Sequence, residues 1–264
     1  MTGLTAEVSA TAFLTAYARA AATTDVTESF ADPYAARFAE LCPTPIRGIT
    51  ERTRGHRIVV ARTLLLDGYL GAALDSGEID AVINLGAGFD ARPYRLRWPA
   101  HVRCVEVDCA ATIELKERLL PASECHVELE RLPVDLRDSD ALVDLLAESG
   151  AGGRTAVLTE GVLAYLSPAD VRSLSGGLAA LGTGARWLCD VMTSASARLL
   201  RSAAIRASVD IELEGIDTLE PFEAGGWECV RYDVLPDALS GAEEVSRWTG
   251  SARLLSGTLE LVRP

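Results

Sequence analysis

The chain has 264 residues, of which 25 are Lys or Arg and 38 are Asp or Glu, so its formal net charge is −13. This acidic balance argues against a nucleic-acid-binding protein, because neutralising phosphates requires clustered Lys and Arg. With 48% apolar and 24% charged residues, the composition is typical of a globular protein with a large core and excludes disordered and collagen-like classes.

The spacing of apolar side chains predicts helices in the first 75 residues. We expect these helices over residues 5–22, 33–41 and 54–74. The N-terminus has no basic segment typical of a signal peptide, and the most apolar window, residues 58–74, contains Arg62 and Asp67. We therefore expect a cytoplasmic protein that does not contact a membrane.

After residue 75, short β-branched runs alternate with helical segments. Strands are expected at residues 81–85, 102–107, 127–132, 155–159, 186–191, 227–235 and 253–262. Helices are expected at residues 110–120, 140–148, from Ser167 onwards, and irregularly over 194–222. Ser167 is a good helix cap, because Pro168 follows it and Asp170 lies three residues on. The alternation predicts an α/β fold with a mostly parallel sheet.

Cysteine and histidine spacing does not indicate a metal site. The six cysteines are dispersed without a C-x-x-C pair, and the three histidines lie far apart in sequence. Zinc sites use closely spaced ligand pairs, so we expect no metal. Cys104 and Cys189 fall within predicted strands and are expected to be buried packing residues in a reducing compartment.

Ligands of open parallel sheets bind beyond the carboxyl ends of the strands, where the strand order reverses. The residues that end the predicted strands are Gly86, Asp108, Asp135, Glu160 and Asp190. These five positions are therefore the first candidates for a binding site.

The segment Gly86-Ala87-Gly88 lets the backbone turn tightly and lets a ligand approach without a Cβ in the way. It departs from the dinucleotide fingerprint, because Ala91 replaces the third glycine and Pro93 stands where the helix should continue. Asp108 lies 22 residues beyond Gly86, where a carboxylate can accept hydrogen bonds from both ribose hydroxyls. The combination indicates an adenosine cofactor, either a dinucleotide or adenosylmethionine. The alternatives are a plain turn at the glycines and a helix-capping role for Asp108.

The segment 83–96, Ile-Asn-Leu-Gly-Ala-Gly-Phe-Asp-Ala-Arg-Pro-Tyr-Arg-Leu, resembles the first motif of the leucine carboxyl methyltransferase family. Other segments that match in order and at similar spacing are Asp32-Pro33-Tyr34-Ala35, Arg62-Thr63 with Asp67, Glu106-Val107-Asp108, Asp135-Leu136-Arg137, residues 160–166 and Gly225-Gly226-Trp227. The matching motifs run from about residue 12 to 235.

The resemblance implies a Rossmann-like class I methyltransferase fold with a central, mostly parallel, seven-stranded sheet and helices on both faces. It implies one methyltransferase domain over residues 1–264. Within that domain, residues 1–75 would form an N-terminal helical lid and residues 76–264 the core. A helical insertion near residues 193–221 would cap the substrate pocket.

The resemblance also implies S-adenosyl-L-methionine as the cofactor. The residues that would surround it are Arg62, Gly86, Ala87, Gly88, Asp108, Asp135, Leu136 and Glu160. Arg62 would pair with the cofactor carboxylate, the Gly86 backbone would meet the methionyl part, and Glu160 would face the amino group. The alternatives are a helix-surface charge for Arg62 and a loop charge for Glu160.

At the other end of the cofactor, Asp108 would bind the ribose hydroxyls. Asp135 and the Leu136 backbone would hold the adenine, with helix capping as the alternative for Asp135. On the substrate side we expect Tyr165, which could also be a packing residue, and Arg19, whose role stays open.

The function implied is transfer of a methyl group to a carboxylate or hydroxyl of a small secondary metabolite such as a polyketide. A carboxylate acceptor would need no general base, whereas a hydroxyl would, and the sequence identifies no catalytic residue. The alternatives are a non-methylating protein that keeps the fold and cofactor, and an NAD-dependent oxidoreductase. The sequence does not determine the oligomeric state.

Overall fold

The structure of the chain is a computed structural model. It describes residues 10–24, 30–44, 46–47, 55–136, 142, 144–146, 150–206, 208–209, 211–235, 246–247 and 254–264. The expected helix at 140–148 and the first residues of the expected helix at 5–22 lie largely outside these residues.

Three described helices precede the sheet: α1 (Ala10–Thr24), α2 (Ala35–Ala39) and α3 (Gly55–Ser76). Helix α2 is shorter than the expected segment 33–41, since prolines lie on both sides of it and proline disfavours a continuous helix. Phe13 of α1 and Phe38 of α2 pack against Phe89, with ring centroids 5.2 and 4.3 Å away. These contacts attach the N-terminal helices to the segment that follows the first strand.

The described strands form one sheet. They are β1 (Ala81–Leu85), β2 (Arg103–Asp108), β3 (Leu129–Pro133), β4 (Thr155–Thr159), β5 (Arg186–Val191), β6 (Glu228–Val234), β7 (Ser246–Arg247) and β8 (Gly257–Val262). Their spatial order is β3-β2-β1-β4-β5-β8-β6-β7. Strands β1 to β5 pair in parallel, and β8 is antiparallel to both β5 and β6. The seven longer strands confirm the prediction of a mostly parallel sheet, and the two-residue β7 adds a short edge strand.

After β1, the α-helices whose bounds lie within the described residues are α4 (Arg92–Arg95), α5 (Ala110–Leu119), α6 (Pro168–Leu178), α7 (Ser194–Arg206) and α8 (Glu220–Glu223). The capping box predicted at the start of α6 is present, because Ser167 accepts a hydrogen bond from the Asp170 backbone and Asp170 accepts one from the Ser167 backbone. Of the segment expected to be irregular helix over 194–222, the described residues are α-helical only in α7 and in the short helix α8.

Side chains along β1 alternate between two core layers. Ile83 and Leu85 pack in the layer that contains Trp187, whereas Val82 packs with Leu70 and other residues of α3. Every residue of β1 and β4 is buried. Burial on both faces is typical of parallel strands covered by helices, and it leaves the strand ends as the place where polar groups can meet a ligand.

All six cysteines are free thiols, and Cys104 and Cys189 are buried as predicted. Burial raises the pKa of both thiols well above its usual value, so they are packing groups. Within the described part of the chain, His, Cys, Asp and Glu side chains do not form a group of three that could hold a metal ion. The described helices likewise include none that is both long and apolar enough to cross a membrane.

Candidate functional site

The parallel strands bring their carboxyl ends to one edge of the sheet. Between β1 and β4 the strand order reverses, since β2 and β3 lie on one side and β5 on the other. Gly86 follows β1, Asp108 ends β2, Glu160 follows β4 and Asp190 is the last residue but one of β5. The site residues predicted from strand ends are therefore grouped at the crevice where α/β folds bind ligands.

The glycine turn after β1 is held against β2. The backbone N–H groups of Gly86 and Ala87 donate to the Val107 carbonyl at 2.8 and 3.0 Å. Gly86 has φ +67°, a left-handed conformation, and a Cβ at this position would collide with the Val162 side chain. Only glycine meets both conditions without strain. At Gly88 a Cβ would meet no atom nearer than 3.9 Å, so a ligand has room to approach this part of the turn.

Asp108 is fixed by the same turn. Its Oδ2 accepts a hydrogen bond from the Gly88 N–H at 2.7 Å, and its Oδ1 accepts one from the Cys109 N–H at 2.8 Å. The N-cap of α5 is Cys109, whose side chain makes no capping bond. Asp108 is half-buried and its carboxylate is bonded to the glycine turn, so it is not a helix cap. A carboxylate has about four acceptor positions, which leaves capacity for a diol.

A buried ion cluster lies beneath the turn. Lys116 of α5 and Glu106 of β2 have side chains that are 0% exposed, with Nζ and Oε1 2.8 Å apart. Lys116 also donates to the Ala87 carbonyl at 3.4 Å, and Arg131 donates to the other Glu106 oxygen at 2.9 Å. The sequence patterns did not predict this cluster. The available signal was an acid inside a strand that is otherwise apolar, since such a charge requires a partner.

Arg62 of α3 is buried, so the alternative of a helix-surface charge is wrong. Its Nε donates to Glu160 Oε1 and its Nη1 to Asp190 Oδ2, both at 3.1 Å. Glu160 also accepts a hydrogen bond from the Thr63 hydroxyl at 2.7 Å and forms an ion pair with Arg92 Nη2 at 2.6 Å. Burial would raise the pKa of Glu160, but Arg92 and Arg62 outweigh it and lower the pKa to about 2. Glu160, whose side chain is 10% exposed, is therefore an ionised partner of arginines, and the loop-charge alternative is wrong as well.

Arg92 extends this cluster. It is 2% exposed and pairs with Asp67 and Asp90 in addition to Glu160, while Arg95 pairs with Asp67. The pKa of Asp90 is lowered well below its usual range, because Arg92 and the neighbouring cations outweigh the effect of burial. These residues belong to the glycine-motif segment and α3, and their pairing was not predicted from the sequence.

Asp190 pairs with the other end of Arg62. Its Oδ1 accepts the Gly161 N–H at 2.6 Å and its Oδ2 accepts Arg62 Nη1 at 3.1 Å. Burial raises the pKa of Asp190 despite these two donors. Gly161 has φ +68°, and a Cβ there would lie 3.1 Å from Arg62 Nη2. The sequence marked Asp190 as a strand end without a role.

The two residues expected on the substrate side have different surroundings. Tyr165 is 39% exposed, and its hydroxyl bonds to the Thr11 side chain of α1 and lies within the electrostatic reach of Arg62 and Asp190. Burial of the hydroxyl raises the pKa of Tyr165. Arg19 is buried, with Nε 2.9 Å from Asp32 and Nη2 2.7 Å from the Phe89 carbonyl. Arg19 thus braces the glycine-motif backbone from α1.

Asp135 and Leu136 follow β3 beside Asp108. The Val134 N–H donates to the Asp108 carbonyl at 3.0 Å, which sets this segment next to the end of β2. Asp135 is exposed, and Leu136 Cδ1 lies 3.5 Å from where a Gly86 Cβ would stand. Leu136 therefore lies over the glycine turn. Arg137 of the same motif and most of the helix that Asp135 could cap lie outside the described residues.

A family model described as leucine carboxyl methyltransferase matches residues 12–179. A Mycobacterium bovis protein named "Putative S-adenosyl-L-methionine-dependent methyltransferase" is 34% identical over 180 residues, which cover 62% of this chain and 58% of that protein. A Mycobacteroides abscessus protein of the same name is 28% identical over 299 aligned positions, covering 97% of each chain. The match to the first relative thus spans less than two thirds of its length.

Solved structures resemble the whole fold. A crystal structure titled as a putative methyltransferase from Thermobifida fusca covers 94% of this chain and 93% of its own, with a TM-score of 0.59 and 16% identity. A duf574 family protein from Streptomyces avermitilis covers 94% and 97%, with a TM-score of 0.62 and 14% identity. These likenesses confirm the predicted Rossmann-like α/β fold.

Proposed function

Because the chain belongs to the leucine carboxyl methyltransferase family, we propose that it is an S-adenosylmethionine-dependent methyltransferase that methylates an oxygen of a small molecule. The acceptor atom is a carboxylate or hydroxyl oxygen of a metabolite such as a polyketide. A nucleic-acid acceptor is disfavoured by the net charge of −13.

The observation that carries the proposal is the joining of Asp108 to the glycine turn. The Gly88 N–H holds the half-buried Asp108 carboxylate at the end of β2. A Cβ added at Gly88 would have no atom nearer than 3.9 Å, so the space beside the turn is open. A carboxylate in this position has acceptor positions left for a ribose diol. The donor set therefore suits an adenosine group lying across the ends of β1 and β2.

The residues at the amino-acid end also suit this cofactor. Arg62 uses Nε and Nη1 on Glu160 and Asp190, whereas a guanidinium carries five N–H donors in a planar fork. Arg62 can therefore hold a carboxylate while it stays paired with its two acids. Asp135 and Leu136 lie beyond Asp108, on the side where the adenine would extend.

When bound, the cofactor supplies a methyl carbon activated by a positively charged sulfur. The protein then has to align the acceptor oxygen with that carbon and exclude water. Helices α1 and α2 serve as a lid over the crevice, since Phe13 and Phe38 pack on Phe89 and Tyr165 bonds to Thr11.

Tyr165 acts as a hydrogen-bonding group towards the acceptor. Its raised pKa keeps the phenol protonated at neutral pH, so it donates a hydrogen bond and does not serve as the base. A carboxylate acceptor fits this arrangement best, because it is already a nucleophile and needs no proton removed.

The first test is a thermal-shift titration with S-adenosylmethionine, S-adenosylhomocysteine and NAD in parallel. A ligand that binds only the folded state at a hundredfold excess over Kd stabilises it by about 2.7 kcal/mol. We expect stabilisation by the two sulfur compounds and none by NAD. Stabilisation by NAD alone would contradict the proposal and favour an NAD-dependent oxidoreductase.

The second test separates an enzyme from a protein that only binds the cofactor. The protein is incubated with S-adenosylmethionine and a panel of small carboxylic acids and phenols, and products are followed by mass spectrometry. We expect one acceptor class to gain a methyl group while S-adenosylhomocysteine is released. Intact cofactor with every acceptor would favour a non-methylating role.

A further inference from the structure

The ion pairs around Arg62 carry unequal numbers of opposite charges. Among the described residues, salt bridges link three arginines with four carboxylates, which are Arg62, Arg92 and Arg95 with Asp67, Asp90, Glu160 and Asp190. The linked group therefore has one negative charge in excess when every member is ionised. An uncompensated charge in a buried site costs free energy, so this site is suited to receive a cation.

The excess charge is concentrated at Asp190. Glu160 accepts hydrogen bonds from Arg62 and Thr63 and forms an ion pair with Arg92, and its pKa falls to about 2. Asp190 accepts one bond from Arg62 and one from the Gly161 N–H, and burial raises its pKa. Of the two carboxylates that share Arg62, Asp190 has fewer donors and only one arginine partner, so its negative charge is less compensated.

Asp190 also lies on the correct side of the crevice. It stands at the end of β5, which pairs with β4, and β4 pairs with β1 at the point where the strand order reverses. Its charge reaches Tyr165, which is the candidate acceptor-side residue. Asp190 thus lies between the amino-acid end of the cofactor site and the acceptor side, at the end of the site opposite Asp108.

We propose that Asp190 is a further cofactor-binding residue, whose carboxylate accepts hydrogen bonds from the ammonium group at the amino-acid end of the cofactor. This inference rests on the proposed function. The family resemblance places that ammonium at Glu160, but Glu160 is already held by Arg62, Arg92 and Thr63. An ammonium at Asp190 would add the positive charge that the ion-pair group lacks.

The proposal predicts how binding depends on pH. The groups that face Asp190 are Arg62 from α3, Glu160 after β4, Tyr165, and Cys189 on its own strand, while its partner on β8, Thr258, is uncharged. Arg62, Tyr165 and Cys189 have raised pKa values and stay protonated at neutral pH and below. Glu160 stays ionised down to about pH 2. In the acid range above pH 2, Asp190 is therefore the facing group that changes charge.

The experiment uses calorimetry with two probes, S-adenosylhomocysteine and 5′-methylthioadenosine, which lacks the amino-acid end. The proteins are the wild type, Asp190→Asn, and Asp67→Asn as a matched control that removes one charge from the opposite end of the same ion-pair group. The amide introduced by Asp190→Asn is isosteric with the carboxylate and keeps an oxygen for the Gly161 N–H. Thermal melts establish that each variant is folded.

We expect Asp190→Asn to weaken S-adenosylhomocysteine binding about 10- to 100-fold, the range for a lost hydrogen bond to a charged group, and to leave 5′-methylthioadenosine binding unchanged. Wild-type affinity for S-adenosylhomocysteine should fall as the pH is lowered from neutral, because a protonated Asp190 no longer holds the ammonium. The part of this loss that 5′-methylthioadenosine does not share should persist in Asp67→Asn and disappear in Asp190→Asn.

Equal or tighter binding of S-adenosylhomocysteine by Asp190→Asn would overturn the proposal, since the variant would then only have relieved an excess charge. A difference in pH dependence between the two probes that stays the same in that variant would overturn it too. If the variant does not fold, the wild type decides alone. An acid loss of affinity that is no larger for S-adenosylhomocysteine than for 5′-methylthioadenosine contradicts an ammonium contact, because both probes share the ribose bound by Asp108. A wild type that binds neither probe would instead refute the proposed function.

Discussion

The two ends of the candidate site are built in different ways. At the end of β2, Asp108 is half-buried and bonded to two backbone N–H groups. At the ends of β4 and β5, the side chains of Arg62, Glu160 and Asp190 are only 10%, 10% and 8% exposed and bond mainly to other charged groups. The backbone holds the first end, whereas charged side chains hold one another at the second.

Because of this difference, substitutions at the two ends should affect cofactor affinity and folding stability differently. A backbone N–H that loses the Asp108 carboxylate can turn to water, because the site is open there. A buried arginine that loses a carboxylate leaves a charge without solvent or partner, which is costly. Substitutions at the ion-pair end should therefore lower stability as well as report on binding, and those at the Asp108 end should report on binding alone.

The largest effect is expected for Arg92→Met. Arg92 is 2% exposed and pairs with three carboxylates, so its loss leaves buried negative charges uncompensated. We expect the free energy of unfolding in urea at pH 7 to fall by about 3–5 kcal/mol. The control is Arg172→Ala, whose partner Glu220 is exposed and whose loss should cost at most about 1 kcal/mol. Similar losses in the two variants would contradict the comparison.

The second-largest effect is expected in the pH dependence of the unfolding free energy, to which Glu160 contributes. Its pKa is lowered from 4.5 to about 2, so its stabilising effect is complete above pH 4.5 and is lost as the pH falls towards 2. Each pKa unit corresponds to about 1.4 kcal/mol, which gives roughly 3 kcal/mol for this group. Glu160→Gln should be less stable than the wild type by about that amount at pH 7, and the two unfolding curves should converge near pH 2. Parallel curves at all pH values would exclude Glu160 as the source.

The sequence predicts the residues at the strand ends but not the ion pairs between side chains. Gly86, Asp108 and Glu160 could be placed because strand periodicity locates strand ends, and parallel strands bring those ends together. Pairs such as Arg92 with Asp67 and Lys116 with Glu106 depend on how α3 and α5 pack on the sheet, which local patterns do not encode. Arginine side chains are long enough to reach partners in distant segments, so their partners could not be assigned before the packing was known.

Arg19 illustrates that limit. It belongs to the segment expected to form the N-terminal helical lid, and we expected it on the substrate side. In the structure its guanidinium bonds to Asp32 and to the Phe89 carbonyl, and its charge helps to lower the pKa of Glu160. Arg19 therefore stabilises the site through its partners. These two partners lie 13 and 70 residues after Arg19 in the sequence.

At the open end, Asp108→Asn should weaken cofactor binding without unfolding the protein. Removing a charged acceptor from a diol costs about 1.5–3 kcal/mol of binding free energy, whereas the unfolding free energy should change by less than about 1 kcal/mol. Calorimetry should show that S-adenosylhomocysteine and 5′-methylthioadenosine lose affinity equally, since both carry the ribose. Equal losses here, against a loss confined to S-adenosylhomocysteine in Asp190→Asn, would separate the two ends of the site. Unchanged affinity for both probes would remove Asp108 from it.

The smallest effect is expected for Tyr165→Phe. The residue is 39% exposed and its hydroxyl bonds to Thr11, so its loss should lower the unfolding free energy by about 0.5–1.5 kcal/mol, the value of one hydrogen bond. If the hydroxyl also orients the acceptor, KM for the acceptor should rise while the cofactor Kd stays the same. The matched control is Tyr34→Phe, which removes a hydroxyl bonded to the Tyr94 carbonyl under the N-terminal helices. An acceptor KM that changes equally in both variants would mean that Tyr165 acts only through the attachment of α1.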